Sequence, residues 1–261
     1  MVPCYDCFEK GKKEARIGLD SEEDIIELIN SDKDFQDAFK GCLTRLGFRS
    51  EGRLRARKAG RGSIKTDIII ELDSGEEIGA SIKSSTKTSF HQLDRRRLEE
   101  WRDILRMPED IFETLKDAIL RVARNSRAPF ILEKDRDRVR EFFASHLTEV
   151  VEEIFRRGED NLKLLIINNK MMRMIYVFRM DDVICFLIKN AKERIAFTDK
   201  GIIRLGDLIT IQRKGGNGKH IRVPKTDWKH PGNQLQFKFS PLKFAEYVES
   251  TGAIKFCVIT Y

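Results

Sequence analysis

No long apolar run exists in this chain. The longest purely apolar stretch is Val183-Ile184-Cys185-Phe186-Leu187-Ile188, far short of the roughly 18 residues a membrane span needs, so no membrane association is expected. The start, Met1-Val2-Pro3-Cys4-Tyr5-Asp6-Cys7, lacks the basic stretch and apolar core of a secretory signal. Cysteine is scarce and odd in number, 5 in 261 residues, which suits a reducing compartment and predicts a cytoplasmic protein. Cys4-x-x-Cys7 has zinc-like spacing, but no second pair follows among Cys42, Cys185 and Cys257, so no zinc site is expected. Histidine is equally sparse: His91, His146, His220 and His230 form no metal-binding spacing. Internal repeats and low-complexity tracts are also absent.

What remains is a densely charged globular chain. Hydrophobic residues are 41%, enough for a sizeable core, and charged residues 35%, above the usual quarter. Lys plus Arg number 49 against 42 acids, a net charge of +7. That balance favours a polyanionic partner and requires the positive charge to be concentrated locally.

Apolar periodicity places two helices over 20–47, with Ile25, Leu28 and Ile29 on the first and Phe35, Phe39, Leu43 and Leu46 on the second, stopped by Gly47. The stretch 49–61 carries six basic residues, Arg57, Lys58 and Arg61 among them, and one acid. It is too polar and glycine-broken for a core element and reads as an exposed basic loop. Strands are predicted over 64–72 and 78–83, helices over 92–105, about 109–123 and 135–157, and a β-rich remainder with strands at 162–167, 174–178, 208–212, 235–239 and 254–260. Helices 182–192 and 241–248 interrupt it, the latter started by Pro241. The expectation is a mixed α/β chain, 1–261, folded as a single compact domain.

The most informative segment is the predicted hairpin around Asp73-Ser74-Gly75. A three-residue loop with Gly75 in the left-handed region pairs Leu72 with Glu76. Counting back, Asp67 then faces Ser81, with Lys83 diagonal to it on the same face. A two-residue loop would put Asp67 on the wrong face. An aspartate and a lysine so placed suit metal-dependent phosphodiester hydrolysis. The carboxylate can hold Mg²⁺, and the lysine can orient a water and offset charge on the phosphate. The bland alternative is a surface ion pair across a hairpin. An acidic helix start, Glu22-Glu23-Asp24, can supply a second carboxylate, and loop 49–61 can contact phosphates. Helix, hairpin and helix in this layout match the pattern of the PD-(D/E)xK nuclease core.

Here the chain resembles the type II restriction endonucleases of the HinP/MspI/HpaII kind, over about Lys12 to Val248. Residues 15–25, Thr66-Asp67 with Ser81-Ile82-Lys83, and Phe90-His91-Gln92-Leu93-Asp94-Arg95 carry the likeness. Most specific are Thr210-Ile211-Gln212-Arg213-Lys214-Gly215-Gly216 and Asn233-Gln234-Leu235-Gln236-Phe237-Lys238.

The resemblance implies a restriction-endonuclease-like core, a central mixed sheet flanked by helices with a helix-plus-hairpin half at 12–125. A β-rich DNA-recognition half would follow at 160–261. It implies Asp67 and Glu22 as metal ligands and Lys83 as the catalytic lysine. Ser81 stands where the family has an amide or acid. A hydroxyl is a poor metal ligand, so the number of ions is open. Phe90 and Gln92 fall on a segment that enters DNA with an aromatic wedge in the family; by the residues alone, Phe90 reads as core. Gln212, Arg213 and Lys214, ending a strand at a glycine-rich turn, suit base edges, as do Asn233, Gln234 and Gln236, although a solvated hairpin tip is the alternative. The implied activity is Mg²⁺-dependent cleavage of double-stranded DNA at a short G/C-rich site of about four base pairs, leaving 5′-phosphates. A homodimer and a host methyltransferase are implied partners. The rivals are a structure-specific repair nuclease on the same core and a non-catalytic DNA-binding protein.

Overall fold

The computed structural model describes residues 21–60, 65–216 and 221–261. Cys4, Cys7, Arg61 and the residues around Gly218 lie outside them. Helix α1 covers 21–31, and α2 (Lys33–Arg45) follows at once because Asp32 caps it, accepting from the Phe35 amide at 3.0 Å. Strands β1 (Arg55–Lys58), β2 (Ile68–Glu71), β3 (Glu77–Ser85) and β4 (His91–Arg96) come next, then helices α3 (Leu98–Leu105) and α4 (Glu109–Arg124). A 3₁₀ turn at Glu133–Asp135 leads into α5 (Arg136–Ser145) and α6 (Leu147–Phe155). Strands β5 (Leu162–Asn169) and β6 (Met174–Arg179), helix α7 (Met180–Lys192), and strands β7 (Ile195–Phe197), β8 (Ile203–Leu205), β9 (Ile209–Arg213) and β10 (Leu235–Phe239) follow. Helix α8 (Pro241–Thr251) and β11 (Phe256–Thr260) close the chain.

The chain divides into two compact units. One unit combines 1–89, 156–186 and 241–261; the other combines 90–155 and 187–240. Each unit is assembled from separated segments of the chain. The connection from β3 to its parallel neighbour β5 contains the first segment of the second unit, the long crossover that parallel pairing requires.

In the first unit a six-stranded mixed sheet runs β1-β2-β3-β5-β6-β11, with only β3 and β5 parallel among the pairings. Residues Ile68, Ile70, Ile78, Ala80 and Ile82 line one face and pack with Ile25, Ile29, Phe35, Phe39 and Leu43 in a single buried cluster. The basic stretch 49–61 is not a plain loop: β1 forms an edge strand within it. Asn30 supplies what a further strand would, its side chain bonding both Ala56 N–H and Ala56 C=O at 2.8 Å. That amide closes the sheet edge against unintended pairing.

The second unit holds an antiparallel sheet, β4-β10-β9-β8-β7. The predicted helix 92–105 begins as strand β4 and turns helical only at Leu98. Its alternate residues Asp94 and Arg96 are buried, and Arg96 bonds Asp94 at 3.0 Å and Glu153 at 2.7 Å. Its guanidinium lies 4.7 Å from the Trp101 ring, which in turn packs on Phe237 at 4.5 Å. The predicted helix 135–157 is two helices, broken at His146, whose ring bonds back to Phe142 C=O.

Removing one member of a buried ion cluster leaves the others uncompensated, typically at about 3–5 kcal/mol. Arg96→Ala is expected to cost that much in urea unfolding. The exposed neighbour Arg95, changed to Ala, should move stability by no more than about 0.5 kcal/mol. Equal losses would contradict the face assignment.

Candidate active site

The turn Asp73-Ser74-Gly75 closes the β2–β3 hairpin. Gly75 adopts φ +82°, Gly75 N–H bonds Leu72 C=O, and Leu72 N–H bonds Glu76 C=O, both at 2.9 Å. The ladder pairs Ile68 with Ala80 and Glu71 with Glu77, and Asp67 N–H bonds Ala80 C=O at 2.9 Å. This register brings Asp67 opposite Ser81.

The side chains meet as that register requires. Ser81 Oγ donates to Asp67 Oδ2 at 3.1 Å and the Ile82 amide donates to the same oxygen at 2.6 Å. Lys83 Nζ donates to Ser81 Oγ at 2.8 Å, to Ile82 C=O at 3.1 Å and, at the limit of a hydrogen bond, to Asp67 Oδ2 at 3.5 Å. All three donors converge on Oδ2, so Asp67 Oδ1 has no hydrogen bond among the described residues and is the oxygen open to a cation. Glu22, near the start of α1, is half-buried, and its carboxyl lies above its ordinary value. Burial is the first cause and the negative charge of Asp67 the second, with Lys58 and Lys83 opposing.

Two features that the sequence reading missed support this arrangement. Glu159 grips the start of the hairpin: one oxygen accepts from Lys65 N–H at 2.8 Å, the other from Thr66 N–H at 2.9 Å and Thr66 Oγ1 at 2.5 Å. The grip fixes the two residues before Asp67. Gly79 N–H bonds Asn161 C=O at 2.8 Å, and a Cβ there would sit 2.8 Å from that oxygen. Neither contact leaves a local sequence signal, because both partners lie more than eighty positions away.

Among the described residues no group of three or more His, Cys, Asp or Glu side chains is poised to hold a metal. The available donors are the carboxylates of Asp67 and Glu22 and nearby backbone carbonyls. Few, hard and oxygen-based, they fit Mg²⁺, which binds through one or two carboxylates and keeps several waters.

Arg57 and Lys58, predicted to meet phosphates, are exposed but paired with acids: Arg57 with Glu71 and Glu77 at 2.7 Å each, Lys58 with Glu23 at 2.6 Å. Such surface pairs are weak, so a phosphate would compete with them. The same pairs turn Glu71 and Glu77 toward Arg57, not toward Asp67.

In the second unit, three glutamines line up across three strands. Gln236 pairs with Gln212 across β10–β9 and donates to the Gln92 side chain at 2.9 Å. Arg95 stands opposite Gln236 on the other side, and Lys238 opposite Thr210 and Gln92. Lys214 lies below its ordinary value through burial first and the charge of Arg95 second. Arg95 and Lys238 were not predicted; alternation along β10 places Lys238 on this face, and a bulge that leaves Leu93 without a partner brings Gln92 and Arg95 to the same side of β4. Gln234 is half-buried beside it.

Asn233, predicted to touch DNA, is fully buried and instead holds Arg213, accepting from its Nε at 2.7 Å. The loop carrying Asn233 is clamped by Arg97, which donates to Trp228 C=O at 2.7 Å and Lys229 C=O at 2.6 Å. Arg213 is half-buried, its guanidinium lowered by burial, and its buried Nη2 has no hydrogen-bond partner among the described residues. His230 is buried and accepts from Gly232 N–H at 2.9 Å, a structural role. Phe90 is 38% exposed, so it is no core residue.

The mixed sheet with flanking helices and the second antiparallel sheet define a restriction-endonuclease-like fold. The crystal structure of the restriction endonuclease MspI in complex with its cognate DNA matches it with a TM-score of 0.57, over 91% of this chain and 93% of that one. Sequence identity is 15%, so the likeness is one of fold. No protein-family model matches the chain, and no curated protein matches it in sequence.

The raised Glu22 carboxyl gives a prediction with a definite sign. Its folded value lies above the ordinary 4.5, so its contribution to stability is present below that value and is lost as pH rises through the raised one. Ionised Glu22 is therefore a destabilising group at neutral pH without a cation. Glu22→Gln should keep or raise Tm in EDTA and abolish the extra thermal stabilisation given by Mg²⁺. A lower Tm in EDTA would contradict this.

Proposed function

We propose that the protein is a Mg²⁺-dependent endonuclease of the type II restriction kind, hydrolysing both strands of duplex DNA at a short G/C-rich site to leave 5′-phosphates. The observation that carries this reading is the Asp67–Ser81–Lys83 constellation, with one Asp67 oxygen saturated and the other open. An open carboxylate oxygen beside Glu22 is what a divalent ion needs; a surface ion pair would leave Lys83 to Asp67 alone.

Asp67 and Glu22 would hold the ion, which when bound would polarise a phosphate oxygen and offset its charge. Lys83 spends its three protons on Ser81, Ile82 and, most weakly, Asp67. The 3.5 Å contact is the one to yield when a phosphate arrives. Released from it, that one N–H can donate to a phosphate oxygen and offset the charge developing there. Ser81 orients both neighbours without adding charge, so this site carries one carboxylate fewer than an acid at that position would give. The half-buried guanidinium of Arg213 with its unpaired N–H, and the Gln92–Gln236–Gln212 row flanked by Arg95 and Lys214, suit guanine and amide-reading contacts in a major groove. Phe90, exposed, suits the stacking wedge.

Asp67→Ala and Lys83→Ala should each abolish cleavage of phage DNA in Mg²⁺ while leaving its binding in Ca²⁺, read by gel shift, within a few-fold. Loss of binding together with a fall in Tm would make both residues structural and remove the catalytic reading.

A further inference from the structure

The β5–β6 hairpin ends in Lys170-Met171-Met172-Arg173. Met171 is 70% exposed and Met172 60%, the most exposed large apolar side chains among the described residues. Adjacent exposed methionines cost solubility and contribute nothing to the core, so their presentation needs a reason.

The tip is also rigidly held. Lys170 N–H bonds Ser85 C=O and Tyr261 N–H bonds Arg173 C=O, both at 3.1 Å, and Met172 N–H bonds the Asn169 side chain at 3.2 Å. Arg173 turns the chain at φ +51°, its guanidinium 5.5 Å from the Tyr261 ring.

Its position in the sheet is fixed by pairing. Strand β5 runs parallel to β3 with Ile167 level with Lys83 and Asn169 level with Ser85. Met171 follows four residues after Ile167, so it lies at most about 13 Å beyond Lys83 along the strand direction. The tip also touches the acidic helix, Lys170 Nζ reaching Asp24 at 3.3 Å, two residues from Glu22. That exposed pair is weak and leaves the lysine available to a phosphate.

We propose that this hairpin tip is a DNA-contacting element, the two methionines entering the minor groove beside the scissile phosphate and Lys170 and Arg173 meeting the backbone. This rests on the nuclease reading above. At 3.4 Å per base pair the reach corresponds to about four steps or fewer from the cut. Thioether side chains carry no hydrogen-bond code for the major groove, but apolar wedges, methionine among them, serve in the minor groove, where they part base steps. The flanking cations match the charge of duplex DNA and argue against an apolar protein partner.

Methionine oxidation footprinting tests it without knowledge of the recognition site. The protein is treated with hydrogen peroxide in Ca²⁺, with and without sheared phage DNA, and oxidation is followed by mass spectrometry. Met171 and Met172 should oxidise readily alone and several-fold more slowly with DNA. The double variant Met171→Ser/Met172→Ser should keep the native Tm and bind phage DNA about tenfold more weakly. Unprotected methionines, or unchanged affinity, in a protein that still cleaves DNA would overturn the hairpin and leave the nuclease reading intact. Protection in a protein that binds DNA but does not cleave it in Mg²⁺ would support the contact and overturn the nuclease. Failure of the unaltered protein to bind duplex DNA would overturn both.

Discussion

The register of one hairpin governs the chemistry available to this molecule. A sheet has a side-chain period of two, so a slip of one residue would carry Asp67 to the opposite face from Ser81 and Lys83. Gly75 in the left-handed region, the Leu72–Glu76 pair and the Glu159 grip on residues 65 and 66 all hold that register. A glycine dihedral, the backbone hydrogen bond it permits and a carboxylate bridging distant sequence converge on the placement of one aspartate.

Each unit carries a sheet with polar groups gathered on part of it, and the polar groups differ in kind. In the first unit they are few and closely coupled: two carboxylates, one of them raised by burial first and by the other's charge second, and a lysine with every proton engaged. In the second they are amides and cations spread over three strands, with Arg213 held by a buried asparagine. Crowded carboxylates of the first sort are relieved by a cation. The second sort offers many donors at fixed spacing, which suits reading rather than reacting. Ser81 fits the division, since it orients charge without adding any.

Much of this could be read from the chain. The loop Asp73-Ser74-Gly75 predicted its own geometry, and with it the Asp67–Ser81 pairing, because a glycine at that position selects one turn. Strand β10 was legible at both ends, bounded by Asn233 and by Ser240-Pro241. Strand β4 was not. Its inward residues, Asp94 and Arg96, are charged, so alternation looked like a solvated helix start and the apolar spacing of α3 drew the prediction backward. Buried charge satisfied by Glu153, far along the chain, has no local signature. Strand β1 was hidden by basic residues for the same reason: its edge is completed by Asn30, on a helix. Asn233 was assigned to DNA from the company it keeps in sequence; only packing shows that it serves Arg213. Lys238, two residues from Gln236, could have been read from parity; Arg95 could not, because a bulge breaks the alternation of β4.

The most direct measurement is end-sequencing of fragments from phage DNA incubated with the purified protein, in Mg²⁺ and in EDTA. The account predicts discrete bands in Mg²⁺ only, with 5′-phosphate ends sharing one short G/C-rich sequence. Intact DNA in Mg²⁺, or fragments whose ends share no sequence, would contradict it.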